Sequence, residues 1–124
     1  MTVKTIITEP NKLLRQISKT VENVGKEEQQ LMNDMLDTMY DANGIGLAAT
    51  QVDKHIRLVV MDLSEERNEP MVFVNPEYNV NKDHNLIEFE EGCLSIPGFN
   101  QNITRPESVE LKWQDLDGIE HTTT

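Results

Sequence analysis

Asn43-Gly44-Ile45-Gly46-Leu47-Ala48-Ala49-Thr50-Gln51 decides the fold, because it stands where the strongest helical pattern of the chain stops. Upstream, Leu31, Met35 and Met39 recur every fourth residue with Met32, Leu36 and Tyr40 beside them, while Asn33, Asp34 and Asp37 are polar. That spacing predicts a helix over residues 27–42 with one buried side. Glu27 and Glu28 fall in its first turn, where the helix dipole favours negative charge. The methionines read as core filler. Asn43-Gly44 then ends the helix by a left-handed step. A glycine on each side of Ile45 allows close approach of another chain or a ligand. Gln51 offers a carboxamide at the end of an otherwise apolar run.

Working outward, Leu13, Leu14, Ile17, Val21 and Val24 are spaced for a short helix after Pro10, followed by an arm lying on the body. Ile56 to Leu63 and Met71 to Val74 read as strands separated by the charged loop Ser64 to Glu69, with Asn75-Pro76 closing the second. Leu86 to Glu90 alternates apolar and acidic residues and leads to Cys93, after which Pro97-Gly98 predicts a turn. Val109, Leu111 and Trp113 alternate with polar residues, as in a half-buried strand. Asp117-Gly118 predicts a two-residue hairpin with Ile119 to Thr123 returning beside it. The expected fold class is α+β, mostly antiparallel strands packed around one principal helix, in a single domain over 1–124.

The 124 residues carry 22 acidic and 11 basic side chains, a formal net charge of −11 that opposes non-specific binding to nucleic acid. No apolar run suits a signal peptide or a membrane span, so a soluble, cytoplasmic protein without nucleic-acid or membrane partners is expected. Cys93 is the one cysteine, which excludes an internal disulfide and fits a reducing compartment.

That cysteine lies in the second notable stretch, Glu91-Gly92-Cys93-Leu94-Ser95. A thiol beside a glycine and near a carboxylate is a metal ligand, a nucleophile or a buried structural group. His55, His84 and His121 offer it little, since the first two sit in polar loops expected to be solvated and the third reads as a cross-strand surface residue.

Joined in order, Gly44 to Gln51 and Glu91 to Ser95 resemble the first two of the three signature motifs of peptide deformylases. These metal enzymes remove the formyl group from the N-terminal formylmethionine of nascent proteins. The likeness also takes in Met39-Tyr40, Ile96-Pro97, Arg105 and Leu116-Asp117-Gly118. It implies that Cys93 is a thiolate ligand of one divalent metal, iron(II) foremost, with zinc, nickel or cobalt compatible. It further implies that the Gln51 amide and the Leu94 N–H donate to the developing oxyanion. Gly44, Ile45 and Gly46 would pair with the extended substrate. Ile45, Phe89 and Leu94 would border the methionine pocket, and Glu91 with Arg105 would fix the cysteine loop. The implied partners are N-formylmethionyl peptides and nascent chains met near the ribosome by a monomeric enzyme.

The third motif of that family, His-Glu-x-x-His, is absent: the histidines precede Ile56, Asn85 and Thr122. The expectation is a domain that stops short of the metal-binding helix and is inactive by itself. Two alternatives stay open. One is a non-catalytic deformylase-like domain that only binds peptide, and the other a thiol hydrolase with Cys93 as nucleophile and His121 as base.

Overall fold

A computed structural model describes residues 2–124. The principal helix, α1, spans Lys26–Asp41. Its start is held by the Gly25 N–H, which donates to the Glu28 carboxylate at 3.2 Å and so satisfies a donor at the open helix end. Met35 and Met39 are fully buried, as their spacing predicts. Asp34, expected on the wet face, is instead 7% exposed. The Gln30 amide donates to its carboxylate at 2.9 Å and the Lys4 ammonium lies 3.9 Å away, partners that make the burial tolerable.

Against α1 lies a five-stranded sheet, β1 (Gly46–Ala48), β2 (Leu58–Met61), β3 (Met71–Asn79), β6 (Glu110–Gln114) and β7 (Glu120–Thr123), in that spatial order. All its pairings are antiparallel, and β1 forms one edge. β4 (Leu86–Cys93) and β5 (Ile96–Pro106) make a separate two-stranded hairpin. The core joins Met35 and Met39 to Leu47, Ala49, Val52, Leu58, Val60 and Val74, so the stretch 44–51 is anchored by its own apolar residues. The α+β class with mostly antiparallel strands around one helix is the fold observed.

Several local expectations are corrected. After Pro10 the chain makes a single 3₁₀ turn, Lys12–Arg15, and Ile17 is 90% exposed. Leu13 and Ile17 stay exposed while Val21 is buried in the core with Val24 packed against it, and backbone pairing of Lys19 with Ile56 ties the arm down. Asn75-Pro76 does not close β3. The strand continues through a register slip between Val74 and Glu77, with Asn75 at φ 51° and its carboxamide bridging both Val21 backbone groups at 2.7 and 2.8 Å. A bulge is one of the few strand positions that tolerate proline.

Pro97-Gly98 is not the turn after the cysteine. Leu94 and Ser95 turn, and Pro97 and Gly98 run inside β5. The polar run Asn100 to Asn102 hid this strand, because nearly all of β5 is exposed and shows no alternation of buried and wet positions. The β6–β7 connection is also longer than two residues, since Gln114 pairs with Glu120. The Asp115 carboxylate organises it by accepting the Asp117 and Ile119 N–H groups at 2.9 and 3.0 Å.

Candidate active site

A cleft of about 690 Å³ opens between the 44–51 stretch and the turn end of the β4–β5 hairpin. Gly44, Ile45, Gly46 and Gln51 line one side, Cys93 and Leu94 the other, with Gly98, Phe99 and Asn100 at the rim. The free edge of β1 belongs to this side of the sheet, which leaves strand hydrogen-bonding groups available to an extended ligand.

Gln51 is positioned by the 3₁₀ turn Ala49–Val52, itself pinned by buried Ala49 and Val52. Its Oε1 accepts the Ala48 N–H at 3.0 Å, which orients the amide. Nε2 then donates to Ser95 Oγ at 3.1 Å and points at Cys93 Sγ, 3.7 Å away. The two sequence stretches thus meet at their functional side chains. Cys93 is exposed, and the Leu94 N–H has no hydrogen-bond partner among the described residues. The Leu94 side chain packs over Gly44, where a Cβ would lie 2.6 Å from Leu94 Cδ1. A side chain at this position would have to push the Leu94 side chain aside.

Arg105 grips Glu91 with two donors at 2.6 and 2.8 Å, and this hydrogen bonding holds the Glu91 carboxyl below its usual range. The pair spans β4 and β5. Phe89 lies outside the cleft lining, exposed on β4.

Sequence reasoning assigned no role to Ser95 or to the N-terminal arm. Ser95 is 4% exposed, and its hydroxyl fixes the free end of the Gln51 amide. The Ile7 N–H donates to the Gln51 carbonyl at 2.7 Å and the Glu9 N–H to the Ser95 carbonyl at 2.8 Å. One strand of backbone therefore staples both sides of the cleft. Ser95 stood within the quoted motif, but backbone donors at positions 7 and 9 leave no mark on residue identity.

The histidines lie elsewhere. His55, expected to be solvated, is mostly covered, with Nε2 2.9 Å from Asp53 and Nδ1 3.3 Å from Thr50. His84 is exposed, and His121 sits across from Trp113, stacked on it and bonded to Asp115 at 2.7 Å. Among the described residues no three His, Cys, Asp or Glu side chains converge as a metal site.

An antiparallel sheet edge, an oriented carboxamide and an exposed thiol meet around one cleft of an α+β domain. The family model described as polypeptide deformylase matches residues 3–124. The peptide deformylase of Pelagibacter ubique is 56% identical over 120 residues, covering 95% of this chain and 69% of the relative. That of Azotobacter vinelandii is 51% identical over 118 residues, covering 95% and 70%. Among solved structures, peptide deformylase from Ehrlichia chaffeensis in complex with actinonin superposes with a TM-score of 0.90 at 35% identity, covering 98% of this chain and 74% of that one. The chain belongs to the peptide deformylase family, a family of enzymes. No helix among the described residues is long and apolar enough to cross a membrane.

Proposed function

We propose that these residues bind N-formylmethionyl peptides and nascent chains and stabilise the oxyanion formed as the formyl group is hydrolysed off. The observation that carries this reading is Gln51 Nε2 oriented by Ala48 and Ser95 beside Cys93. An oriented amide costs no reorganisation when charge develops on the formyl oxygen, and the unpartnered Leu94 N–H is the second donor. The extended peptide adds as a strand to the β1 edge at Gly44, Ile45 and Gly46. Ile45 and Leu94 border the methionine side chain. Glu91 and Arg105 hold the cysteine turn from behind.

Family membership implies a divalent metal, with Cys93 as the thiolate donor. The described residues do not by themselves fit one: a catalytic site of the zinc type takes three protein ligands, and only Cys93 stands at the cleft. A polypeptide limited to these residues is proposed to hold metal weakly and to leave formamides intact. Iron(II), a monomeric state and a cytoplasmic location near the ribosome remain parts of this proposal.

The complete gene product, incubated with iron(II) or nickel, tests it on a formyl-Met tripeptide. Turnover is expected, with Gln51→Leu lowering kcat about 10²–10³-fold, the usual cost of one oxyanion donor. Undiminished turnover in both Gln51→Leu and Cys93→Ala would sink the assignment. The single donor at the cleft favours a second reading, a non-catalytic peptide binder. Formyl-peptide binding without turnover in the metal-treated gene product selects it.

A further inference from the structure

Arg67 lies in the charged loop between β2 and β3, away from both motif stretches, yet its guanidinium ends on one of them. Nη2 donates to the Gly44 carbonyl at 2.7 Å. The same guanidinium lies over the Tyr40 ring, 5.2 Å from its centroid. Tyr40 in turn donates its hydroxyl to Asp62 at 2.6 Å. Asp62 is 1% exposed and also accepts the Ser64 hydroxyl and N–H at 2.5 and 2.8 Å and the Glu69 N–H at 3.1 Å. Its own N–H donates to the Ile45 carbonyl at 2.9 Å.

Two consecutive carbonyls of the cleft wall, Gly44 and Ile45, are thus held by one polar assembly built around buried Asp62. Arg67 itself sits at φ 56°, a left-handed conformation that an arginine rarely adopts. Loop closure alone does not need that residue type there, since glycine or asparagine would take the conformation with less strain. What arginine adds is a planar fork that stacks on an aromatic ring while donating to a carbonyl.

We infer that Arg67 is a positioning residue for the peptide-binding segment Gly44–Gly46, holding it at the cleft edge with Tyr40 and Asp62 as its support. The substrate part of this rests on the proposed function; the positioning part does not. The Leu94 side chain packs on Gly44, but its N–H belongs to the hairpin turn and not to the segment that Arg67 holds.

Arg67→Met keeps the aliphatic stem and removes the donor, and Arg67→Lys restores a donor without the fork. Both are compared with the parent complete gene product by amide hydrogen exchange and by steady-state hydrolysis of a formyl-Met tripeptide. In Arg67→Met, exchange across Gly44–Leu47 is expected to quicken about tenfold with β2 and β3 unchanged. KM should rise about tenfold with kcat within about twofold, and Arg67→Lys should recover part of both. Parent-like exchange at 44–47 overturns the inference, as does a loss of protection spread evenly through β2 and β3 with KM unmoved. If Arg67→Met does not fold, the lysine variant decides by the same two readouts. A parent protein that fails to hydrolyse the peptide removes the deformylase reading, while the exchange comparison still judges Arg67.

Discussion

The two walls of the cleft are built in opposite ways. The Gly44–Gln51 wall grows out of the core: Leu47, Ala49 and Val52 are buried against α1 and β2. The Cys93–Asn100 wall is the end of a hairpin whose strands are exposed along almost their whole length, with Ser95 its one buried side chain among the described residues. A rigid wall can hold an amide at a fixed angle, whereas a wall without a core depends on what it is tied to. The ties are few: Gln51 to Ser95, the N-terminal backbone to Ser95, and Leu94 over Gly44. Placing Gln51 on the first wall and Cys93 on the second makes their registry a matter of those contacts.

The largest effect should come from the core side. Met39→Ala empties a fully enclosed site beneath the first wall and should cost roughly 2–5 kcal/mol by urea unfolding. Leu86→Ala, on a hairpin residue 63% exposed, should stay within about 0.5 kcal/mol. Equal losses would erase the contrast. Next comes the seam itself. Ser95→Ala leaves the Gln51 amide without its hydroxyl acceptor, and should cost about 1 kcal/mol of stability and about tenfold in kcat. An unchanged kcat would mean that Ser95 only packs.

The same contrast explains what the sequence could disclose. Met35 and Met39 announced the helix because burial on one side imposes a period, and β2 was legible from its run of β-branched and aliphatic residues. Gln51 and Cys93 were brought to one cleft as the motif resemblance implied. β5 escaped because a strand wet on both faces imposes no alternation. Asp34 escaped because its burial depends on Gln30 and Lys4 rather than on its own type. Arg67 escaped because its meaning lies in a carbonyl 23 residues back, which carries no sequence signal.

The core side also carries an acid response. Hydrogen bonds from the Ser64 hydroxyl first, then from Tyr40 and the Ser64 and Glu69 backbone, lower the Asp62 carboxyl from 3.8 to about 2. A depressed carboxylate contributes stability that is complete above its unfolded value and fades as pH falls from about 4 toward 2. Asp62→Asn should therefore weaken the protein at neutral pH and flatten its loss of stability below pH 4, read from urea midpoints across that range. Tyr40 works at the other end, because its bond to Asp62 raises the phenol above 10.0. That contribution is complete below pH 10 and is lost as pH rises through the shifted value.

The smallest effect should come from the hairpin's own ion pair. Arg105 and Glu91 both belong to β4–β5, so their bond stiffens the second wall without tying it to the first. Both side chains keep access to water, where an ion pair gains little over its hydrated partners and is screened by salt. Arg105→Gln should accordingly leave the urea midpoint where it was, while the Glu91 carboxyl, freed from its two donors, titrates back in the ordinary glutamate range by NMR. A midpoint shift as large as that of Ser95→Ala would show the hairpin to be coupled to the core through this pair, and the division of the cleft into a fixed and a tethered wall would fail.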